Sequence, residues 1–202
     1  MQLQTIVAEI LKRSDEAYVG VSEDRARRAF YTALINTLSL GQFDDYEAFG
    51  FFKRKGVIIP SGVETYIDID ATLLGNKYLT IRSIYFEPGK NFNEEEEGFI
   101  TPITQKDLAR INMGAFKPEY DYKYHQLGNK LYLYPADKWG SKHVIIEYVI
   151  APLPYNDTKP TSPLTTEWYD DTEMTGFVTE GFEEKLIELA SAIFKKELND
   201  AS

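Results

Sequence analysis

The order in which this chain uses its hydrophobic residues predicts an α+β fold. N- and C-terminal helices pack as a helical bundle, and an antiparallel β-sheet or sandwich is inserted between them. Three observations carry that expectation. Apolar residues recur at helical spacing in the first 40 residues and again in the last 25. Between residues 57 and 152 they alternate with polar residues, the period of a strand with one buried face. Helices come first, strands next and a helix last, an order that segregates the two kinds of element instead of interleaving them.

The elements follow in order. Leu3, Ile6, Val7, Ile10 and Leu11 make one apolar stripe and predict a first helix. Ser22 reads as the N-cap of a second, with Glu23 and Asp24 in the first turn, where the helix dipole favours acids. That helix turns Ala26, Phe30, Ala33, Leu34, Thr37 and Leu38 inward and stops at Gly41. Asp44 is expected to cap a short third helix through Phe49. Val57-Ile58-Ile59 is a short strand, and the alternation of Val63, Thr65, Ile67 and Ile69 with Glu64, Tyr66, Asp68 and Asp70 predicts another. Tyr78–Glu87 is a third strand, and Glu94–Glu97 an acidic loop. Thr104–Ile111 reads as a short helix with Thr104 as cap and Asp107 three residues on. Tyr120–Leu127 and Lys130–Tyr134 flank Gly128-Asn129, which suits a two-residue type II′ hairpin turn. Val144–Ile150 is the last strand. Thr179 caps a final helix with Phe182, Leu186, Leu189, Ala190, Ile193 and Phe194 on one face. The expected organisation is a helical part over 1–56, an inserted β domain over 57–152, an extended Pro-rich acidic loop over 153–176 and a C-terminal helix over 177–202 that packs on the N-terminal helices.

Composition narrows the function classes. The 202 residues are 43% hydrophobic and 27% charged, which suits a globular chain. The absence of cysteine excludes disulfides, thiolate metal sites and a catalytic thiol. No apolar run reaches the roughly 20 residues of a membrane-spanning helix, and the N-terminus carries no signal-peptide pattern, so the chain is expected in the cytoplasm of the cell that makes it. Net charge is −10, with residues 1–56 neutral, 57–152 at −3 and 153–202 at −7. A DNA-binding surface requires clustered cations, and Arg25-Ala-Arg27-Arg28 and Lys53-Arg54-Lys55 both sit among acids. DNA is therefore expected to be repelled or passed, not gripped.

No catalytic, cofactor or metal site is legible. Gly89-Lys90 lacks the upstream glycine of a phosphate loop. His125 and His143 are lone strand histidines without zinc spacing. Asp68 and Asp70 share a strand face in this reading and are expected to be solvated. The features that remain are surfaces for contact. Trp168, Tyr169, Asp170 and Asp171 lie in a Pro-rich stretch without periodicity, which suggests a segment that docks on something. Tyr120, Tyr122 and Tyr124 alternate on one strand, with Tyr132 and Tyr134 on its hairpin partner. Such an aromatic face serves packing, subunit contact or sugar stacking.

Two N-terminal helices, a β region, the string Lys130-Leu-Tyr-Leu-Tyr-Pro135, the strand Val144-Ile-Ile-Glu-Tyr-Val-Ile-Ala-Pro152 and an amphipathic helix at Phe182–Leu198 follow one another. This pattern resembles the head-to-tail adaptor (connector) proteins of tailed phages, the group that includes the tail tubular protein A of short-tailed phages. The resemblance spans residues 20–198 and rests on apolar and aromatic positions. It departs from the family at Phe177-Val178-Thr179, where a Leu-Pro entry into the last helix is common. It implies a non-enzymatic structural virion protein, a dodecameric ring docked under the capsid portal. Its partners would be the portal protein, a downstream tail or ring protein and further copies of itself. DNA would pass through the lumen without specific binding during packaging and ejection. A carbohydrate-binding module using the tyrosine-rich strands is the alternative, but such modules are mostly all-β, which leaves the flanking helices unexplained.

Overall fold

The computed structural model describes residues 1–14, 20–59, 66–72, 78–90, 99–112, 122–134, 139–150 and 173–200. The chain is mixed α and β. It divides into two compact units, one of Met1–Phe52 with Ile150–Ser202 and the other of Lys53–Val149.

Among the described residues, the first unit is built on three helices. Helix α1 (Leu3–Arg13) buries the apolar stripe expected for it. Helix α2 (Gly20–Ser39) begins two residues before the expected cap, so Ser22 lies inside the helix. Glu23 and Asp24 are placed to pair with the buried Arg27 one turn on, at 3.5 and 3.3 Å. Alanines 26, 29 and 33 are fully or almost fully buried beside Phe30 and Leu34. Small side chains on that face let another helix approach closely, and α5 (Glu180–Asp200) is the helix that packs most extensively on α2. Helix α1 touches both. Thr179 caps α5 as expected, accepting from the Phe182 N–H at 3.4 Å. The buried face of α5 is Phe182, Glu183, Leu186, Ile187, Ala190, Ser191 and Phe194. Leu189, expected inside, is exposed, and Ile187 takes its place. Buried hydroxyls are satisfied within their own helices: Ser14, Thr37 and Ser191 each donate to the carbonyl four residues back at 2.8 Å.

Helix α2 ends as the sequence predicts. Gly41 has φ +63°, its N–H reaches Leu38 O at 3.3 Å, and the Gln42 N–H reaches Thr37 O at 3.2 Å, the paired bonds of a Schellman cap. The third helix expected from Asp44 is a series of turns instead. Asp44 and Glu47 do bond reciprocally, Asp44 N–H to Glu47 Oε2 at 2.8 Å and Glu47 N–H to Asp44 O at 2.9 Å. The helix fails to propagate because Gly50 N–H is drawn to Phe177 O at 2.9 Å.

The second unit holds a seven-stranded sheet in the order β1-β7-β3-β4-β5-β6-β2. The strands are β1 (Phe52–Ile58), β2 (Tyr66–Asp68), β3 (Tyr78–Phe86), β4 (Phe99–Pro102), β5 (Lys123–Leu127), β6 (Lys130–Tyr134) and β7 (His143–Ile150). Helices α3 (Ile69–Thr72) and α4 (Gln105–Asn112) lie between strands in sequence. The sheet corrects the antiparallel expectation: β4 and β5 pair in parallel, while β2–β6, β3–β4 and β5–β6 are antiparallel. Strand β4 was not foreseen, and β1 starts at Phe52, inside the stretch expected to be helical.

Register explains where the strands stop. The hairpin β5–β6 turns at Gly128, φ +58°. Asn129 is absent from the residues with positive φ, which makes the turn type II′. Strand β2 pairs Tyr66, Ile67 and Asp68 with Tyr132, Leu131 and Lys130. One residue on, Ile69 N–H meets Asn129 O at 2.8 Å, already in the turn. Strand β6 offers nothing further, so the chain coils into α3 and Asp70 leaves the strand. The pairing of Asp68 with Asp70 on one strand face is thereby corrected. Helix α4 has the predicted cap, with Thr104 Oγ1 accepting from Asp107 N–H at 3.2 Å and donating to its carboxylate at 2.8 Å.

Candidate interaction surfaces

The antiparallel register sorts the hairpin tyrosines onto two faces. Residues directly opposite each other share a face. Tyr124 stands opposite Leu133, and Gln126 opposite Leu131. Leu131, Leu133 and Ile67 are buried, so this is the core face. Burial pushes the Tyr124 phenol pKa up. Tyr132 stands opposite His125, and Tyr134 opposite Lys123, on the other face. The expected tyrosine face shared by Tyr124, Tyr132 and Tyr134 is therefore corrected: the two β6 tyrosines and Tyr124 point opposite ways.

Tyr122 lies just before β5 and makes edge contacts with Phe86 (4.8 Å, 84°) and Trp139 (4.9 Å, 85°). It belongs to an aromatic cluster with the fully buried Trp139, whose Nε1 meets no hydrogen-bond acceptor among the described residues. Tyr120, Trp168, Tyr169, Asp170 and Asp171 lie outside the described residues, as does residues 153–172 of the expected loop. The end of that loop is a 3₁₀ turn, Met174–Gly176, with Met174 buried.

Tyr66 of β2 joins the outward hairpin face. Tyr66 pairs across the strands with Tyr132, rings 5.9 Å apart at 46°, and Lys130 Nζ sits 4.2 Å over the Tyr66 ring. The signal was present in the Glu64, Tyr66, Asp68 alternation, which marks the solvent side of β2. Burial followed by the charge-side neighbour Tyr132 raises the Tyr134 pKa.

A polar cluster lies farther along the same sheet. Glu147 on β7 accepts from Arg54 Nε at 2.7 Å, Ser83 Oγ at 2.5 Å and Tyr85 OH at 3.2 Å. Tyr85 is held above the ordinary phenol range, first by burial and then by the Glu147 charge, with Arg54 opposing. His143 Nδ1 is 3.7 Å from Glu87 Oε2. The Ser83 hydroxyl is thus committed to a carboxylate and not to an imidazole, unlike the nucleophile of a Ser-His-Asp triad. Among the described residues no three His, Asp or Glu side chains converge as metal ligands would, and no helix is long and apolar enough to cross a membrane.

The third surface is the segment after α2. Phe43 and Ala48 are buried, yet Leu40 is 69% exposed, Tyr46 68% and Phe49 46%. The acids Asp44 and then Glu47 raise the Tyr46 phenol pKa. No family model matches the chain, and no curated protein sequence matches it.

Proposed function

We propose that the chain is a structural virion protein, a head-to-tail adaptor that forms a ring under the capsid portal and joins it to the tail. In this reading it is not an enzyme, it needs no cofactor, and it resides at the neck of the virion after synthesis in the host cytoplasm. The N- and C-terminal helices form one helical bundle into which the β domain is inserted.

The observation that carries the reading is the way the two ends of the chain meet. Helix α5, from the last residues, packs on α1 and α2 from the first, and Arg13 Nη2 lies 2.5 Å from Glu184 Oε1 across 171 residues of sequence. Residues 53–149 make their own compact unit between them. That is the element order on which the resemblance to phage adaptors rests. A net charge of −10 suits a lumen along which DNA slides, because like charges keep a polyanion from sticking.

The test is co-sedimentation and negative-stain imaging of the purified chain with and without the portal protein of its own genome. A ring, or a ring stacked on the portal, supports the reading. Absence of association at every salt concentration, together with saturable binding on a glycan array, overturns it in favour of a carbohydrate-binding module. Neutralising Asp170, Asp171 and Glu173 tests the charge separately: normal DNA ejection by such particles would show that the acids of that segment play no part.

A further inference from the structure

We propose that the segment Leu40–Phe49 of one copy docks on strand β1 of a second copy, head to tail. The inference rests on the ring reading for its biological setting, but its argument is local. Exposed apolar side chains in one short segment mark an interaction site when the segment holding them is itself well anchored. Here the anchors are many. The Schellman cap fixes Gly41 and Gln42, and Lys185 Nζ holds Gln42 O at 3.0 Å. The Phe43 ring lies 6.2 Å from Phe182, Asp44 and Glu47 bond reciprocally, and Gly50 is bonded to Phe177. Between these anchors Leu40, Tyr46 and Phe49 point to solvent.

Charge selects the occupant. Residues 40–49 contain Asp44, Asp45 and Glu47 and no cation. Strand β1 contains Lys53, Arg54 and Lys55 and no acid. It stands at one end of the strand order and shows Lys53, Arg54 and Ile58 exposed. The acidic segment thus meets the basic strand along its edge, with Lys53 and Lys55 on one side of the strand and Arg54 and Ile58 on the other, and every copy carries both halves. Two different surfaces that match each other make a heterologous contact, which closes into rings or runs on as filaments. A ten-residue segment covers less than the roughly 800 Å² per partner of a stable interface, so the contact is weak in free solution and strengthens where copies are concentrated.

The experiment uses the whole chain. Zero-length carbodiimide coupling of a mixture of ¹⁵N-labelled and unlabelled protein is followed by mass spectrometry, with sedimentation velocity up to millimolar protein. The expected result is mixed-isotope cross-links joining Lys53 or Lys55 to Asp44, Asp45 or Glu47. Reversing the acids (Asp44→Lys with Asp45→Lys) or the bases (Lys53→Glu with Lys55→Glu) weakens self-association on the order of tenfold. Arg54 is left in place to keep its bond to Glu147. Mixing the two variants restores association, since each then finds its complement, whereas a folding defect is not rescued by mixing. A wild type that stays monomeric without mixed-isotope cross-links overturns the proposal, as does failure of the mixed variants to recover. Portal-bound rings lacking these cross-links sink the proposal and leave the adaptor reading standing. Cross-linked self-association without portal binding does the reverse.

Discussion

Gly50 lies so close to Phe177 that a Cβ on the glycine would stand 2.4 Å from the Phe177 Cα and 2.9 Å from Gly176 O. These are backbone atoms, which cannot swing aside as a flexible side chain does. The same approach lets Gly50 N–H bond Phe177 O, brings Thr179 N–H to Glu47 O at 2.9 Å, and stacks Phe51 on Phe177 at 5.3 Å. Gly50→Ala is expected to destabilise the protein by about 3 kcal/mol, the upper range for overpacking a close contact. Gly41→Ala removes no contact and meets only the left-handed backbone penalty, about 1 kcal/mol. Urea denaturation of the two variants checks the order.

Arg13 bridges Glu9 on its own helix, Nε to Oε1 at 3.1 Å, and Glu184 on α5. The hydrogen bond from Arg13 holds the Glu9 carboxyl below its usual range against the opposing effect of burial. A depressed carboxyl contributes stability that is present above its unfolded pKa, about 4.3, and is lost as pH falls through the folded value. Arg13→Gln is therefore expected to cost about 1 kcal/mol near neutral pH, since these groups are partly exposed, and less once Glu9 is protonated. Wild type and variant melting temperatures should converge as pH is lowered. A constant difference across that range would show that the loss lies in packing and not in charge.

The helical ends of this chain were legible because their periods are long and their caps are local: Gly41, Thr104 and Thr179 each act where the sequence places them. The sheet was less so. Strand β4 is four residues long and its parallel partner β5 is more than 20 residues away, a pairing no local pattern encodes. Tyr124 and Tyr132 read as one aromatic face because each alternates correctly on its own strand. Their relative facing depends on register, which the turn at Gly128-Asn129 sets. Asp44 has the residues of a helix cap, but a tertiary bond from Gly50 to Phe177 ends the turn before a helix forms.

Glu147 on β7 accepts three hydrogen bonds from two other strands, from Arg54 on β1 and from Ser83 and Tyr85 on β3, so Glu147→Gln tests both stability and titration. It is expected to cost about 2 kcal/mol, in the range for a hydrogen bond to a charged group. The phenol pKa of Tyr85 should fall toward its ordinary value and stop short of it, because burial is the larger cause and remains. A raised phenol pKa contributes stability that is lost as pH rises past the unfolded value, about 10, so the variant should lose less than wild type in strong alkali. Tyrosine ring ¹³C shifts followed through an alkaline titration read Tyr85 directly. An unchanged midpoint would mean that the Glu147 carboxylate does not act on it.

The two faces of the hairpin should separate cleanly under truncation. Leu131 is fully buried and Tyr132, its chain neighbour, is half-exposed on the opposite face. Leu131→Ala opens a cavity and is expected to cost about 3 kcal/mol. Tyr132→Ala loses a cross-strand ring contact with Tyr66 and is expected to cost about 1 kcal/mol. Tyr124→Ala, on the core side, should fall nearer to Leu131→Ala than to Tyr132→Ala, although Tyr124 and Tyr132 are alike in sequence. Equal losses for the two tyrosines would contradict the register of β5 on β6, in which Tyr124 meets Leu133 and Tyr132 meets His125.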